Sequence, residues 1–111
     1  MLNMKFILIS NNETVIEEEI RYIKKENDIV FKIEDTIYNL DVKNKIISKK
    51  DKESKMKMDF NNKTITITLL ENNYTIDCPI KIIKDIFDDK RVEIEYTIED
   101  GEVDNKIIID Y

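Results

Sequence analysis

The chain has 111 residues, of which 41% are hydrophobic and 38% charged, and its formal net charge at pH 7 is −6. This length fits one domain spanning residues 1–111, and the apolar share is too large for a disordered chain. A sequence with no His, one Cys and one Gly excludes Ser-His-Asp catalysis, structural zinc sites and glycine-rich phosphate loops. We therefore expect no enzyme, no cofactor and no metal, although a metal site built from carboxylates alone stays open.

The sequence carries no evident secretion or membrane signal. The apolar run at residues 6–9 is too short for the core of a signal peptide, and no apolar stretch approaches the length of a bilayer span. The single cysteine, Cys78, rules out an internal disulfide. We expect a cytoplasmic protein that does not associate with membranes.

The composition and the side-chain alternation favour β-structure. Ile, Val and Tyr are frequent and Ala is absent, which suits pleated strands better than helices. Apolar and polar residues alternate between short Asn- and Asp-rich turns, including Asn61-Asn62 and Asp100-Gly101 as hairpin tips. In chain order, strands are predicted at residues 4–10, 29–34, 36–42, 45–49, 56–60, 64–69, 74–78, 91–98 and 106–111.

Two further segments are ambiguous. Residues 14–25 fit a strand through Ile16, Ile20 and Tyr22, and the all-β context favours this over a helix. Residues 79–87 fit another strand or a short helix, because Ile80 and Phe87 recur at helical spacing and Pro is well placed in a first helical turn.

Short strands at spacings near ten residues are typical of a barrel or a sandwich. We predict an all-β fold, an antiparallel up-and-down β-barrel or strongly curved sheet of about eight strands. At most one short helix is expected, near residues 79–87. A barrel of this size encloses side chains or one small ligand, and the Ile-rich core favours a filled interior.

The charge is unevenly spread along the chain. Residues 85–111 carry roughly −7 and residues 43–84 roughly +5, so the C-terminal third is the acidic part. Carboxylates on a rigid hairpin can dock a basic protein partner. The predicted partner-binding residues are Glu93, Glu95, Glu99, Asp100, Glu102 and Asp104. The leading hypothesis is therefore an interaction protein with an acidic C-terminal hairpin face. A phage-encoded inhibitor or immunity-type protein that imitates nucleic-acid charge is an alternative.

A second alternative is a carrier of a small apolar ligand. Methionine is flexible and fills adaptable apolar sites, so this hypothesis places a ligand pocket inside the barrel. Its predicted lining residues are Met56, Met58, Phe60 and Tyr96.

The lysine-rich stretch at residues 43–57 is interpreted as an exposed hairpin whose tip lies at residues 50–54. Interleaved aromatic residues or Arg forks would favour nucleic acid, and the stretch has neither. We therefore do not expect nucleic acid as a partner. The acidic groups at Glu17, Glu19 and Asp88-Asp89 are interpreted as solvated surface.

Several short motifs resemble one known family. They are Ile33-Glu34-Asp35, Lys45-Ile46-Ile47-Ser48-Lys49, Met58-Asp59-Phe60-Asn61-Asn62-Lys63, Tyr74-Thr75-Ile76-Asp77-Cys78-Pro79 and Val92-Glu93-Ile94-Glu95-Tyr96. Through them, residues 29–111 resemble a family of uncharacterised calycin-like β-barrel proteins from low-GC Gram-positive bacteria. Ile80 stands where that family is expected to have glycine. The resemblance implies a closed barrel of about eight strands and carries no known activity, so it transfers no functional residues.

Overall fold

The computed structural model describes residues 2–98 and 103–111. These residues form ten β-strands and no helix. The strands are β1 (Leu2–Ser10), β2 (Glu13–Lys25), β3 (Asp28–Ile33), β4 (Thr36–Asp41), β5 (Ile46–Lys50), β6 (Ser54–Asp59), β7 (Thr64–Leu69), β8 (Tyr74–Phe87), β9 (Arg91–Ile98) and β10 (Asp104–Asp110).

The ten strands close into one antiparallel barrel. Each strand pairs with its neighbours in sequence, and β1 pairs with β10 to close the ring, with Phe6 opposite Ile109. The predicted all-β antiparallel barrel is confirmed. The count is ten strands where about eight were expected: residues 14–25 form a strand, β2, and residues 79–87 continue the strand predicted at 74–78 as one long β8.

The two longest strands, β2 and β8, serve as corners of the barrel. β8 pairs with β7 from Tyr74 to Pro79 and with β9 from Ile80 to Phe87. β2 pairs with β1 along most of its length but with β3 only from Tyr22 to Lys25. Strands that pass from one sheet to another in this way turn the corner of a β-structure. They divide the barrel into a terminal wall (β1, β9, β10 and the adjoining parts of β2 and β8) and a central wall (β3 to β7).

The helical alternative for residues 79–87 is wrong, and a bulge explains the misleading pattern. The pairing of β8 with β9 shifts between Ile82 and Lys84, which leaves Ile83 as an extra residue. Ile80 is buried and Ile83 is 54% exposed, so the alternation restarts after the bulge. The bulge interrupts the alternation of inward and outward residues in β8, and the resulting spacing of apolar residues resembles that of a helix.

Aspartate side chains and residues with a left-handed backbone conformation (positive φ) form the turns. The Asp59 carboxylate accepts hydrogen bonds from the backbone N–H groups of Asn61 and Asn62, at 3.1 and 3.0 Å. The turn predicted at Asn61-Asn62 is present, but its residue with positive φ is Lys63, at 56°. Lys45 takes the same conformation after Asn44. Asn and Asp therefore begin these turns, while lysines occupy the positions that glycine would favour.

The interior of the barrel is filled with apolar side chains. Phe6, Phe31 and Tyr38 form one aromatic cluster, in which the Phe31 and Tyr38 rings stack with centroids 5.0 Å apart. Phe60 contacts Phe87 and Tyr96, at centroid distances of 5.7 and 5.9 Å. All but Phe87 are buried. The described residues contain no helix that is long and apolar enough to cross a membrane.

Candidate functional site: two charged faces

The predicted acidic residues fall on the outer surface of the terminal wall, as far as the structure describes them. Glu93 and Glu95 alternate with the buried residues Val92, Ile94 and Tyr96, so they point away from the core. Asp104 begins β10, and its position opposite Thr97 places it one step diagonally from Glu95. The predicted residues Glu99, Asp100 and Glu102 lie outside the described residues. We call Glu93, Glu95 and Asp104 the acidic face.

Glu93 is held by cations of the same wall. Its carboxylate lies 2.5 Å from the Lys84 ammonium and 3.0 Å from the Arg91 guanidinium, which also pairs with Asp110 at 2.6 Å. The hydrogen bonds from Lys84 and then from Arg91 lower the pKa of Glu93 below its usual value. The charge of Glu93 is thus balanced within the protein, so this residue is poorly suited to attract a partner.

Glu95 and Asp104 form a carboxylate pair whose negative charge is less fully neutralised by nearby cations than that of Glu93. Hydrogen bonding to the Asp104 carboxyl, followed by burial, raises the pKa of Glu95. Asp104 Oδ1 is shielded from solvent and has no hydrogen-bond donor among the described residues. The nearest cation paired with Glu95 is Lys106, at 3.9 Å. Two ionised carboxylates can only accept hydrogen bonds, so this arrangement favours a proton or a cation between them.

The residues predicted to line a ligand pocket are brought together in the core. Met58, Phe60 and Tyr96 are buried, and the Tyr96 hydroxyl lies 3.7 Å from the Met58 sulfur. Met56 is half-buried and packs against the same core. Burial raises the pKa of Tyr96, as expected for a phenol surrounded by apolar groups. These four side chains contribute to the packed interior.

A second charged surface covers the central wall and combines residues that lie far apart in the sequence. Lys50 lies directly opposite Lys55, and the next outward residue along β6 is Lys57. Lys32 joins them from β3, where it lies opposite Ile37. We call these four lysines the lysine face. Like charges directly opposite one another on adjacent strands destabilise a sheet.

Sequence analysis missed the lysine face as a unit. It placed residues 50–54 at an exposed hairpin tip, and the turn between β5 and β6 does lie there. The missing signal was register, because pairing of β3 with β4 and of β5 with β6 aligns lysines from three strands. A hairpin pairing centred between residues 52 and 53 would have placed Lys50 opposite Lys55 on one face.

The described residues offer no group of three or more His, Cys, Asp or Glu side chains that could hold a metal ion. Glu17 on β2 lies 3.4 Å from the Lys5 ammonium, as a surface ion pair. Cys78 is a partly buried free thiol that packs against the core.

The sequence matches no protein-family model and no curated protein. The two charged faces are therefore interpreted from their geometry alone.

Proposed function

We propose that this protein is a non-catalytic interaction module whose acidic face docks a basic protein partner. In this proposal the Glu95–Asp104 pair accepts a Lys or Arg side chain of the partner. The observation that carries it is the Glu95–Asp104 carboxyl pair, which raises the pKa of Glu95 and whose nearest paired cation, Lys106, lies 3.9 Å from Glu95. An arginine fork or a lysine ammonium would supply donors to both carboxylates at once.

The surroundings of the pair support this assignment. The neighbouring cations Lys84 and Arg91 are engaged by Glu93, and Lys106 approaches Glu95 only to 3.9 Å. The pair lies on outward positions of two adjacent strands, β9 and β10, which hold the two carboxyls at a fixed separation. A rigid site of this kind loses little conformational entropy when a partner binds.

A capture experiment tests the proposal. The immobilised protein should retain a basic protein from a lysate of its source organism at low salt and release it at high salt. The double variant Glu95→Gln/Asp104→Asn should weaken that retention by about tenfold or more, because it removes both charges that face the partner. The matched control Glu13→Gln/Glu18→Gln changes the net charge equally on exposed β2 residues. Equal retention by the double variant and the control would refute the proposal.

Stability measurements give an independent check of the pair. Because the folded protein raises the pKa of Glu95, its stabilising effect is present below the ordinary value of 4.5 and is lost as the pH rises through the folded value. Glu95→Gln should therefore raise the urea midpoint at pH 7, and the difference from wild type should shrink below pH 4.5. A variant that is less stable than wild type at pH 7 would show that the two carboxylates do not repel each other.

A further inference from the structure

Two grooves cross the outer surface of the central wall and the adjoining end of β2, and they meet at Ile37. The first has a volume of about 380 Å³, and the second about 510 Å³. The lining of the first includes Ile37, the hydroxyl-bearing Ser48 and the lysines Lys49, Lys50, Lys55 and Lys57. The second is lined by Arg21, Tyr22, Ile23, Val30, Phe31, Lys32 and Ile37. Together the two linings contain six cationic residues and no carboxylate, in a protein whose net charge is −6.

Strand register arranges this surface in rows that run across the strands. One row passes from Lys32 through Ile37 and Lys50 to Lys55. The adjacent row contains Ile23, Val30, Asn39, Ser48, Lys57 and Thr66 in order. One half of the surface is therefore basic and hydroxyl-bearing, and the other half is apolar. Ile23 is 60% exposed and Ile37 is 51% exposed.

The lysines of this surface have no acidic partner in the described part of the chain. Lys32, Lys50, Lys55 and Lys57 each lie farther than 4.0 Å from every carboxylate oxygen described. Lys50 and Lys55 repel each other across adjacent strands, and a bound anion would relieve that repulsion. The Lys50–Lys55 pair therefore lowers the stability of the sheet. Residues that lower stability in this way are expected at functional sites, where binding compensates for the loss.

We infer that the lysine face and its apolar neighbours form a second docking surface, whose occupant is an acidic, extended segment of a protein partner. Its carboxylates contact Lys50, Lys55 and Lys57, and an apolar side chain of the segment covers Ile23 and Ile37. Crossing six strands at about 4.8 Å each takes roughly 24 Å, which an extended peptide spans with about seven or eight residues.

The apolar half distinguishes this occupant from a nucleic acid. A phosphate backbone would pair with the lysines but would leave Ile23 and Ile37 uncovered. The basic half contains no aromatic ring that could stack on a base, and Arg21 lies at the far end of the apolar half. This surface is separate from the acidic face, since it lies on the central wall and attracts the opposite charge.

Binding of a defined peptide tests the inference. The probe is a fluorescein-labelled ten-residue peptide in which Asp and Glu alternate with Leu, followed by fluorescence anisotropy at low and high salt. We expect salt-dependent binding that the variant Lys50→Glu/Lys55→Glu weakens by about tenfold or more. Ile37→Ser should weaken binding without changing its salt dependence. The control Lys24→Glu/Lys43→Glu makes the same charge change at exposed lysines outside the two grooves and should bind as wild type does.

The single variant Lys55→Glu separates binding from folding. A glutamate opposite Lys50 replaces repulsion with attraction, so this variant should melt at a higher temperature while binding the peptide more weakly. The neutral variant Lys55→Gln should fall between it and wild type in both measurements.

Three results would overturn the inference. The first is equal peptide binding by wild type and Lys50→Glu/Lys55→Glu. The second is tighter binding of a ten-nucleotide oligothymidylate, or of phosphatidylserine-containing vesicles, than of the peptide. The third is concentration-dependent self-association in sedimentation that Lys50→Glu/Lys55→Glu abolishes, which would identify a second copy of this chain as the occupant.

Discussion

Tyr111 links the end of the described chain to the turn between β8 and β9 through hydrogen bonds. Its hydroxyl donates a hydrogen bond to the backbone carbonyl of Asp88, and its backbone N–H donates to the Lys90 carbonyl at 2.9 Å. Its ring also meets Tyr22 edge-on, with centroids 6.1 Å apart. Burial, together with the nearby charges of Asp88 and Asp89, raises the pKa of Tyr111 to about 12.

This shift predicts a loss of stability in alkaline solution. The neutral phenol is favoured in the folded state, so its contribution is complete below the unfolded pKa of about 10 and is lost as the pH rises towards 12. Tyr111→Phe should therefore flatten the fall in unfolding free energy between pH 10 and pH 12, as measured by urea titration. Tyr74→Phe, at a residue that is 57% exposed, is the matched control. Parallel curves for wild type and Tyr111→Phe would contradict the prediction.

At this scale the sequence indicates where turns lie more reliably than how they are built. Asp51, Asp59 and Asp88 accept backbone N–H groups at the starts of turns, and these hydrogen bonds lower the pKa of each carboxyl. Asn and Asp favour such positions, so their clusters predict turns. Lysine has no preference for positive φ, so the left-handed conformation of Lys45 and Lys63 follows from strand register and could not be predicted.

β8 shows how one extra residue lets a strand serve both walls of the barrel. Before the bulge Ile82 lies opposite Tyr96, and after it Lys84 lies opposite Glu95. Ile83 has no partner of its own in this pairing, and Phe87 still lies opposite Val92 and faces inward. A bulge bends the strand that carries it and increases the local twist, which suits a corner position.

Two single deletions should therefore differ sharply. Deleting Ile83 removes the bulge and leaves every later pairing of β8 in place, so this variant should still unfold in one cooperative transition. Deleting Ile86 shifts Phe87 by one position and turns it towards solvent, which loses about 1–2 kcal/mol from that partly buried side chain alone. Urea unfolding followed by circular dichroism compares them. Equal stability of the two deletion variants would show that β8 tolerates a register slip.

Regular strands were predictable from sequence, and irregular ones were not. Strands β7 and β9 alternate without interruption, because each has one face in the core and one in solvent. In β8 the bulge at Ile83 breaks this period, so pattern alone left a helix and a strand open. The bulge also hid the length of β8, whose residues 74–78 and 79–87 form one strand.

At the scale of the whole molecule, one continuous core links both walls. Ile109 on β10 is fully buried opposite Phe6, while the adjacent Ile108 points outward opposite Ile7. β10 contributes Ile107 and Ile109 to the core and also completes the ring. Stability of the barrel should therefore depend on the inward residues of its closing strand.

Ile109→Ala should lower the free energy of unfolding by about 2–5 kcal/mol, because it removes buried methylene groups and leaves a cavity. Ile108→Ala changes the same residue type on the outer surface and should cost about 1 kcal/mol or less. Chemical denaturation of both variants measures the difference. Similar losses for the two would mean that the inward and outward positions of β10 are wrongly assigned.

The candidate surfaces were only partly predictable. Glu93, Glu95 and Asp104 were selected from the acidic composition of the C-terminal third, but composition could not show that Glu93 is balanced by Lys84 and Arg91. The lysine face depends on which residues register places side by side on three strands. Pairwise register is a tertiary property, so a single sequence predicts such a surface only after the hairpins have been aligned.

The closure of the barrel has a consequence for the synthesis of this protein on the ribosome. Nine of its ten strand interfaces join consecutive strands, which can pair soon after they emerge, whereas β1 must wait for β10. About 100 residues separate these two strands, so at roughly 5–20 residues per second the open edge of β1 persists for about 5–20 s. That edge carries the apolar run Phe6-Ile7-Leu8-Ile9. Exposed apolar edge strands of this kind pair with strands of other chains and cause aggregation. The nascent chain is thus most vulnerable to aggregation until its last strand has been made.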